Sequence, residues 1–148
     1  MHPLMFTGNV NENTYEFVEA HGGKGVTLTY YSEFTIKNKG LLPFSHRLID
    51  ELNSQELLDS VINFATADER LDDEFIPLVY FDDDLNYYYH KKNHNPNDPN
   101  DPLSDKWYCT ELIWAAYKNH GIELDQNDGP ILPIDFHICS LLKRINIY

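Results

Sequence analysis

Three short runs of β-branched and aromatic residues lie within the first 31 residues, and they constrain the fold more than any other feature of the chain. The runs span residues 4–6, 14–18 and 26–31, and segments rich in glycine and asparagine separate them at 8–13 and 21–25. Such runs between turn-forming residues are typical of β-strands. Three of them in succession predict an antiparallel meander at the start of the chain.

The best-marked helix of the sequence is predicted over residues 53–67. Asn53 is a suitable N-cap, and Glu56 three residues later completes a capping-box pattern. Apolar residues then recur at helical spacing along one face, namely Leu57, Leu58, Val61, Ile62 and Ala65. We interpret this face as the one that packs into the core.

The composition changes sharply between residues 82 and 105. Residues 82–84 are all Asp, and residues 94–102 contain three prolines at a spacing of three, which neither a helix nor a central strand accepts. Asp and Asn are calcium ligands, but the glycine and the closing Glu of an EF-hand loop are both absent here. We therefore predict a Pro/Asn/Asp-rich surface loop at about 93–105, within one domain that spans residues 1–148.

Two further helices are predicted after this loop. The first runs from about Glu111 to Asn119, and Gly121 ends it, so that Cys109 falls at its N-cap or in its first turn. The second begins near Pro133 and carries apolar residues as far as Leu142. The predicted fold class is α+β, with a small antiparallel sheet or half-barrel packed against the helix that carries Cys109.

Charge and composition exclude several classes of function. The chain of 148 residues has a formal charge of -13, which repels phosphate backbones, so nucleic acid is not expected as the main partner. No apolar run approaches the ~20 residues that span a bilayer, and no signal-peptide pattern occurs, so we expect a cytoplasmic protein with no transmembrane segment. Cys109 and Cys139 are too few for a disulfide scaffold, and no spacing of zinc ligands occurs, so no metal or other cofactor is expected. The oligomeric state stays open.

The position of Cys109 at a helix start suits a nucleophile. The N–H groups and the positive end of the helix dipole favour thiolate over thiol at such a position. A nucleophilic cysteine also needs an imidazole as proton partner and a third group that orients the ring. By itself the position is not decisive, since many buried cysteines are simply small apolar residues.

The sequence around Cys109 resembles a known family. Residues 108–113 read Tyr-Cys-Thr-Glu-Leu-Ile, which is similar to the Tyr-Cys-Ser-Glu-Leu-Val signature of the YaeF/YiiX-like proteins. These form a circularly permuted branch of the NlpC-type superfamily of papain-like cysteine hydrolases and amidases. Residues 18–20, 77–82 and 133–136 resemble further family segments in the right order, so the resemblance covers most of the chain.

The resemblance implies a role for four residues. Cys109 would be the nucleophile, His2 the general base and Glu19 the residue that orients the imidazole. Tyr80 would help to polarise the reacting carbonyl, although other tyrosines compete for that role, namely Tyr87, Tyr88, Tyr89 and Tyr108. The family normally has a further strand before its histidine, whereas this sequence begins one residue before His2.

His21 is the reserve candidate for the base. It shares a face with Glu19 if the strand continues to it, because alternate residues of a strand point the same way. The glycines that follow His21 favour a turn instead.

The function that these features predict is a cysteine-dependent hydrolase or acyl transferase acting on an amide or ester bond through an acyl-enzyme. The resemblance points to peptide-like or acyl-lipid substrates and does not choose between them. A first alternative is a catalytically inactive papain-like module that binds a peptide or lipid in the same groove. A second is an interaction domain in which Cys109 is inert.

Overall fold

The computed structural model describes residues 3–38, 45–92, 100, 104–127 and 129–145. His2 therefore lies outside the described residues, as does most of the predicted loop at 93–105. Among the residues that the structure describes, none of the helices has the length and apolarity that crossing a bilayer requires.

The predicted meander is confirmed as a three-stranded antiparallel sheet. Its strands are β1 (Met5–Asn11), β2 (Thr14–His21) and β3 (Gly25–Ser32), in the order β1-β2-β3. β1 pairs with β2 through Met5 and Val18, and a bulge between Phe6 and Val10 shifts the register before the hairpin turn.

Gly25 lets another part of the chain approach the sheet closely. Its φ is +73°, and a Cβ atom at this position would lie 2.1 Å from the carbonyl oxygen of Asp73. The next residue, Val26, donates its N–H to that same carbonyl at 2.8 Å, and Asp72 donates to Val26 O at 2.9 Å. A side chain at position 25 would therefore separate the sheet from the turn at 70–73.

A short helix that the sequence did not predict follows the sheet. α1 (Glu33–Asn38) begins after Ser32, whose hydroxyl accepts the N–H of Thr35 at 3.1 Å. Beyond it lies β4 (Ser45–Leu48), which leads toward the helix predicted at 53–67.

That helix is present, but the predicted N-cap is wrong. α2 (Gln55–Thr66) begins after Ser54, whose extended backbone and hydroxyl cap the helix by accepting the N–H of Leu57 at 3.1 Å. Asn53 instead belongs to the preceding turn, where its N–H donates to Ile49 O at 3.1 Å. The predicted apolar face does pack inward, with Val61 and Ala65 buried.

In the described part of the chain, four short strands lie between α2 and Cys109. They are β5 (Glu74–Phe75), β6 (Val79–Phe81), β7 (Tyr87–Tyr89) and β8 (Lys106–Trp107). β5 and β8 pair in parallel, whereas β6 and β7 form an antiparallel hairpin.

The helix after β8 agrees with the sequence prediction. α3 (Cys109–Lys118) has Cys109 as its first residue, so the cysteine lies in the first turn rather than at the N-cap. Gly121 follows with a φ of +80°, and the N–H of Ile122 returns to Tyr117 O at 3.1 Å, as in a glycine-terminated helix.

The last predicted helix is shorter than expected. α4 (Pro133–Ile138) begins at the predicted proline, but Cys139 leaves the helical conformation with a ψ of 122°. The following residues form β9 (Leu142–Ile145), which pairs antiparallel with β4.

The core forms where α3 packs against both β2 and α2. Its largest fully buried side chains include Trp107, Tyr108 and Leu112, beside Val18 of β2 and Val61 of α2. The observed class is α+β with small sheets, as predicted.

Candidate active site

Cys109 lies at the start of α3, where no side chain of the N-cap residue bonds the helix. It is half-buried, and the preceding residue, Tyr108, is the extended N-cap with φ -96° and ψ 160°. Tyr108 makes no side-chain hydrogen bond to the helix start. The first turn therefore directs its N–H groups and the positive end of the helix dipole toward the region of Cys109.

The residues on either side of Cys109 are both hydrogen-bonded to Ile131. Thr110 Oγ1 donates to the carbonyl oxygen of Ile131 at 2.6 Å. The N–H of Ile131 donates in turn to the phenol oxygen of Tyr108 at 3.3 Å. All three residues are fully buried, so this clamp, formed by Tyr108, Thr110 and Ile131, fixes the position of Cys109 from both sides.

A buried carboxylate lies beside the clamp. Glu111 has no solvent-exposed surface. Burial is the main cause that raises the pKa of Tyr108, and the charge of Glu111 raises it further. Tyr108 is therefore a neutral phenol at physiological pH, which suits its role as a hydrogen-bonding support for Ile131.

Glu19 is buried in the sheet and is held by a neighbouring strand. Its Oε1 accepts a hydrogen bond from Thr29 Oγ1 at 2.8 Å. Burial raises the pKa of Tyr31 on β3, and the charge of Glu19 contributes to that rise. Glu19 thus lies in a polar site on the sheet, with the hydroxyl groups of β3 beside it.

Glu19 and α3 lie on different faces of β2. Val18 and Ala20 belong to the same buried cluster as the apolar side chains of α3. Because successive strand residues point to opposite faces, Glu19 points away from the body of that helix. The role of Glu19 in orienting a base therefore stays a prediction.

The prediction that His21 lies in a turn is wrong. His21 is the last residue of β2 and pairs with Gly25. The turn follows it, and Lys24 N donates to His21 O at 3.1 Å. The half-buried imidazole therefore shares the face of Glu19, which points away from the body of α3.

Tyr80 lies on the hairpin of β6 and β7. It is 42% exposed, and its ring contacts are with Tyr88, at 5.5 Å between centroids, and with His90, at 4.4 Å. Of the competing tyrosines, Tyr108 is buried beside Cys109 and supports the clamp. The role of Tyr80 at the reacting carbonyl stays a prediction.

A buried lysine that the sequence did not reveal supports the segment before Ile131. Lys92 is 3% exposed, and its Nζ lies 3.2 Å from Asp125 Oδ2. It also donates to the carbonyl oxygens of Asn127 and Gly129, and lies 5.6 Å from the centroid of the Trp114 ring. No sequence signal marks Lys92, because its carboxylate and carbonyl partners are more than thirty residues away in the chain.

Potential metal ligands do not form a cluster in the described part of the chain. Within those ranges, no three His, Cys, Asp or Glu side chains come together in a way that would hold a metal ion. His46 and His137 contact each other, with 3.2 Å between Nε2 and Nδ1.

Comparisons with protein-family models, with curated proteins and with solved structures found no match to this chain.

Proposed function

We propose that this protein is a cysteine-dependent hydrolase or acyl transferase of the YaeF/YiiX-like, circularly permuted papain type. The observation that carries the proposal is the placement of Cys109 as the first residue of α3, half-buried, with both sequence neighbours bound to Ile131. A nucleophile needs partial access and a fixed position, and the start of a helix favours its thiolate form.

Three residues carry the chemistry in this proposal. Cys109 is the nucleophile, His2 is the general base, and Glu19 is a positioning residue that orients the imidazole. The buried carboxylate of Glu19 would also stabilise the imidazolium that forms during the reaction. His21 is the competing base, because it shares the strand face of Glu19.

The reaction proceeds in two stages. The base accepts the proton of the Cys109 thiol, and the sulfur attacks the carbonyl carbon of an amide or ester. The N–H of Cys109 donates to the resulting oxyanion. The C–N or C–O bond then breaks, the leaving amine or alcohol takes the proton from the imidazolium, and a thioester remains on Cys109. Water, deprotonated by the base, attacks the thioester, and the acid leaves as the thiol is restored.

The substrates we propose are peptide-like amides or acyl-lipid esters. Both present a carbonyl with a leaving amine or alcohol, so the same two stages serve either one. We propose a cytoplasmic location for the activity.

The runner-up proposal is an inactive module of the same type that binds a peptide or lipid. Two observations favour it. Glu19 points away from the body of α3, and Glu111 places a second buried carboxylate in the first turn of the helix, where its charge repels the oxyanion of an acyl-transfer intermediate.

Alkylation of the native protein by iodoacetamide, with both cysteines quantified by peptide mass, tests the proposal. Cys139 is the internal control because it is also half-buried but lies at the C-terminal end of a helix, where the dipole disfavours an anion. We expect Cys109 to react at least about tenfold faster than Cys139 at neutral pH. Equal and slow labelling of the two cysteines contradicts the hydrolase proposal.

Two histidine variants identify the base. His2→Ala should slow the labelling of Cys109 and abolish ester turnover, whereas His21→Ala should leave both largely intact. The reverse pattern assigns the base to His21. Rapid labelling of Cys109 without turnover of any amide or ester probe favours the inactive module.

A further inference from the structure

The hairpin of β6 and β7 exposes an unusual number of aromatic side chains. Five of its six strand residues are aromatic, and Phe81 is 65% and Tyr87 63% exposed. A two-stranded hairpin is only marginally stable in water, and exposed aromatic area of this kind is typical of binding surfaces. We call residues 79–89 the aromatic hairpin.

The aromatic hairpin has two distinct faces. Tyr80 pairs with Tyr88 across the strands, and the two rings stack at 5.5 Å with an angle of 27°. Phe81 pairs with Tyr87 on the opposite face, where Tyr87 also contacts Tyr89 edge-on at 6.0 Å. The second face, formed by Phe81, Tyr87 and Tyr89, is the more exposed, and we call it the open face.

The tip of the hairpin is ordered by one carboxylate. Asp82 Oδ1 accepts the backbone N–H groups of Asp84 at 3.0 Å and Asn86 at 2.9 Å, and its Oδ2 accepts the hydroxyl of Tyr88 at 3.1 Å. These hydrogen bonds outweigh desolvation and lower the pKa of Asp82, so it is ionised at neutral pH. Asp83 and Asp84 are exposed at the same tip.

We propose that the open face and the acidic tip together form a docking surface for an arginine-rich segment of a partner protein. A planar guanidinium stacks on tyrosine rings and binds carboxylates through two parallel hydrogen bonds, so one arginine-rich segment satisfies both features of the hairpin. The formal charge of -13 attracts such a segment over a longer range.

Charge argues against a second copy of this chain as the occupant. Two hairpins that meet by their open faces would bring two acidic tips together on molecules that are already strongly negative. The surface involves neither Cys109 nor the clamp, so the proposal goes beyond the hydrolase proposal and does not depend on it.

Fluorescence anisotropy with the full chain and a labelled octapeptide of alternating arginine and glycine tests the proposal. We expect the double variant Phe81→Ala with Tyr87→Ala to weaken binding about tenfold, and Asp83→Asn with Asp84→Asn to weaken it about threefold to tenfold. A lysine version of the peptide should bind more weakly, since an ammonium lacks the planar fork.

Two controls separate the hairpin from general attraction to an acidic protein. Phe34→Ala removes an aromatic side chain that is 75% exposed on α1, and Asp68→Asn with Glu69→Gln removes the same charge as the tip variant from another exposed site. Both controls should bind the peptide within about twofold of the wild type.

Three results would contradict the proposed docking surface. If the tip variant and the variant of residues 68 and 69 weaken peptide binding equally, the binding depends only on net charge and the proposal is wrong. The proposal is also wrong if the Phe81/Tyr87 double variant binds the peptide as well as the wild type while its circular dichroism spectrum shows an intact fold. Analytical ultracentrifugation measures the oligomeric state. If the wild type is a dimer and Tyr87→Ala makes it a monomer, the open face binds a second copy of this chain and the proposal is wrong.

Discussion

At the scale of single residues, the position of Cys109 depends on hydrogen bonds made by its neighbours. Thr110 stands where the signature that this sequence resembles has a serine, and its hydroxyl donates to Ile131 O at 2.6 Å. That hydroxyl is engaged in the clamp, so its role is to position the helix start. The sequence predicted Cys109 at a helix start, because a cysteine before a periodic run with a glycine stop is a local pattern. It could not predict the clamp, because Ile131 is 21 residues from Thr110.

The clamp makes Thr110→Val a direct test. Valine has nearly the same shape but leaves the buried carbonyl of Ile131 without this donor, so the free energy of unfolding should fall by about 1–3 kcal/mol. Alkylation of Cys109 should slow in the same variant, because the helix start is less well fixed. Urea unfolding and peptide-resolved labelling measure the two effects. Thr110→Ser is the matched control, and equal behaviour of the valine and serine variants would show that the hydroxyl has no positioning role.

Lys92 provides a second residue-scale prediction. Lys92→Met should lower the free energy of unfolding by about 3–5 kcal/mol, because it leaves Asp125 buried without its cation. Lys91→Met is the matched control, since Lys91 is exposed, and it should change stability by less than about 0.5 kcal/mol. Urea unfolding measures both. The added change Asp125→Asn should recover part of the loss, and a full loss in the double variant would contradict the assigned ion pair.

At the scale of elements, predictions from the sequence were best where the signal was local. The meander and α2 could be predicted from residue patterns within one segment. The pairing of β4 with β9 could not, because it joins residues about a hundred positions apart in the sequence, such as Ser45 and Ile145. β5 and β8 contain two residues each, too few for a periodic signal. The observed N-cap of α2, Ser54, lies one residue after the predicted cap, Asn53. Both residue types are good caps, and the hydrogen bond of Asn53 N–H to Ile49 O places Asn53 in the preceding turn.

The contact between β4 and α4 should make stability depend on pH. His46 Nε2 lies 3.2 Å from His137 Nδ1, and a hydrogen bond between them requires one neutral ring. Burial lowers the pKa of His46, and the charges of His137 and Arg144 lower it further. The folded protein therefore binds fewer protons at this site than the unfolded chain does.

The sign of the effect follows from that difference. The contribution of His46 is complete above its ordinary pKa of 6.5 and is lost as the pH falls below that value toward the lower pKa of the folded state. His46→Phe removes the titration and keeps a ring. Urea midpoints measured between about pH 8 and pH 5 should fall more steeply for the wild type than for this variant. If the urea midpoints of the wild type and of His46→Phe fall in parallel with pH, the histidine contact does not contribute to the pH dependence of stability.

At the scale of the whole molecule, the chain combines a strongly acidic surface with a core built around α3. That helix contacts both β2 and α2, so Cys109 begins the element on which the core depends. The sequence predicted the α+β class and this central role, because the apolar patterns of the elements are complementary. It could not predict Lys92 or the exposed aromatic hairpin, since burial and exposure arise only when distant segments meet.

The central claim is that Cys109 forms an acyl-enzyme, and mass spectrometry of the protein after brief exposure to a p-nitrophenyl ester tests it most directly. We predict a single added acyl group that peptide mapping places on Cys109, that hydroxylamine removes, and that Cys109→Ala abolishes while leaving the fold intact. Acyl groups distributed equally over Cys109 and Cys139, or none on either cysteine after exposure to both ester and amide probes, would contradict the claim.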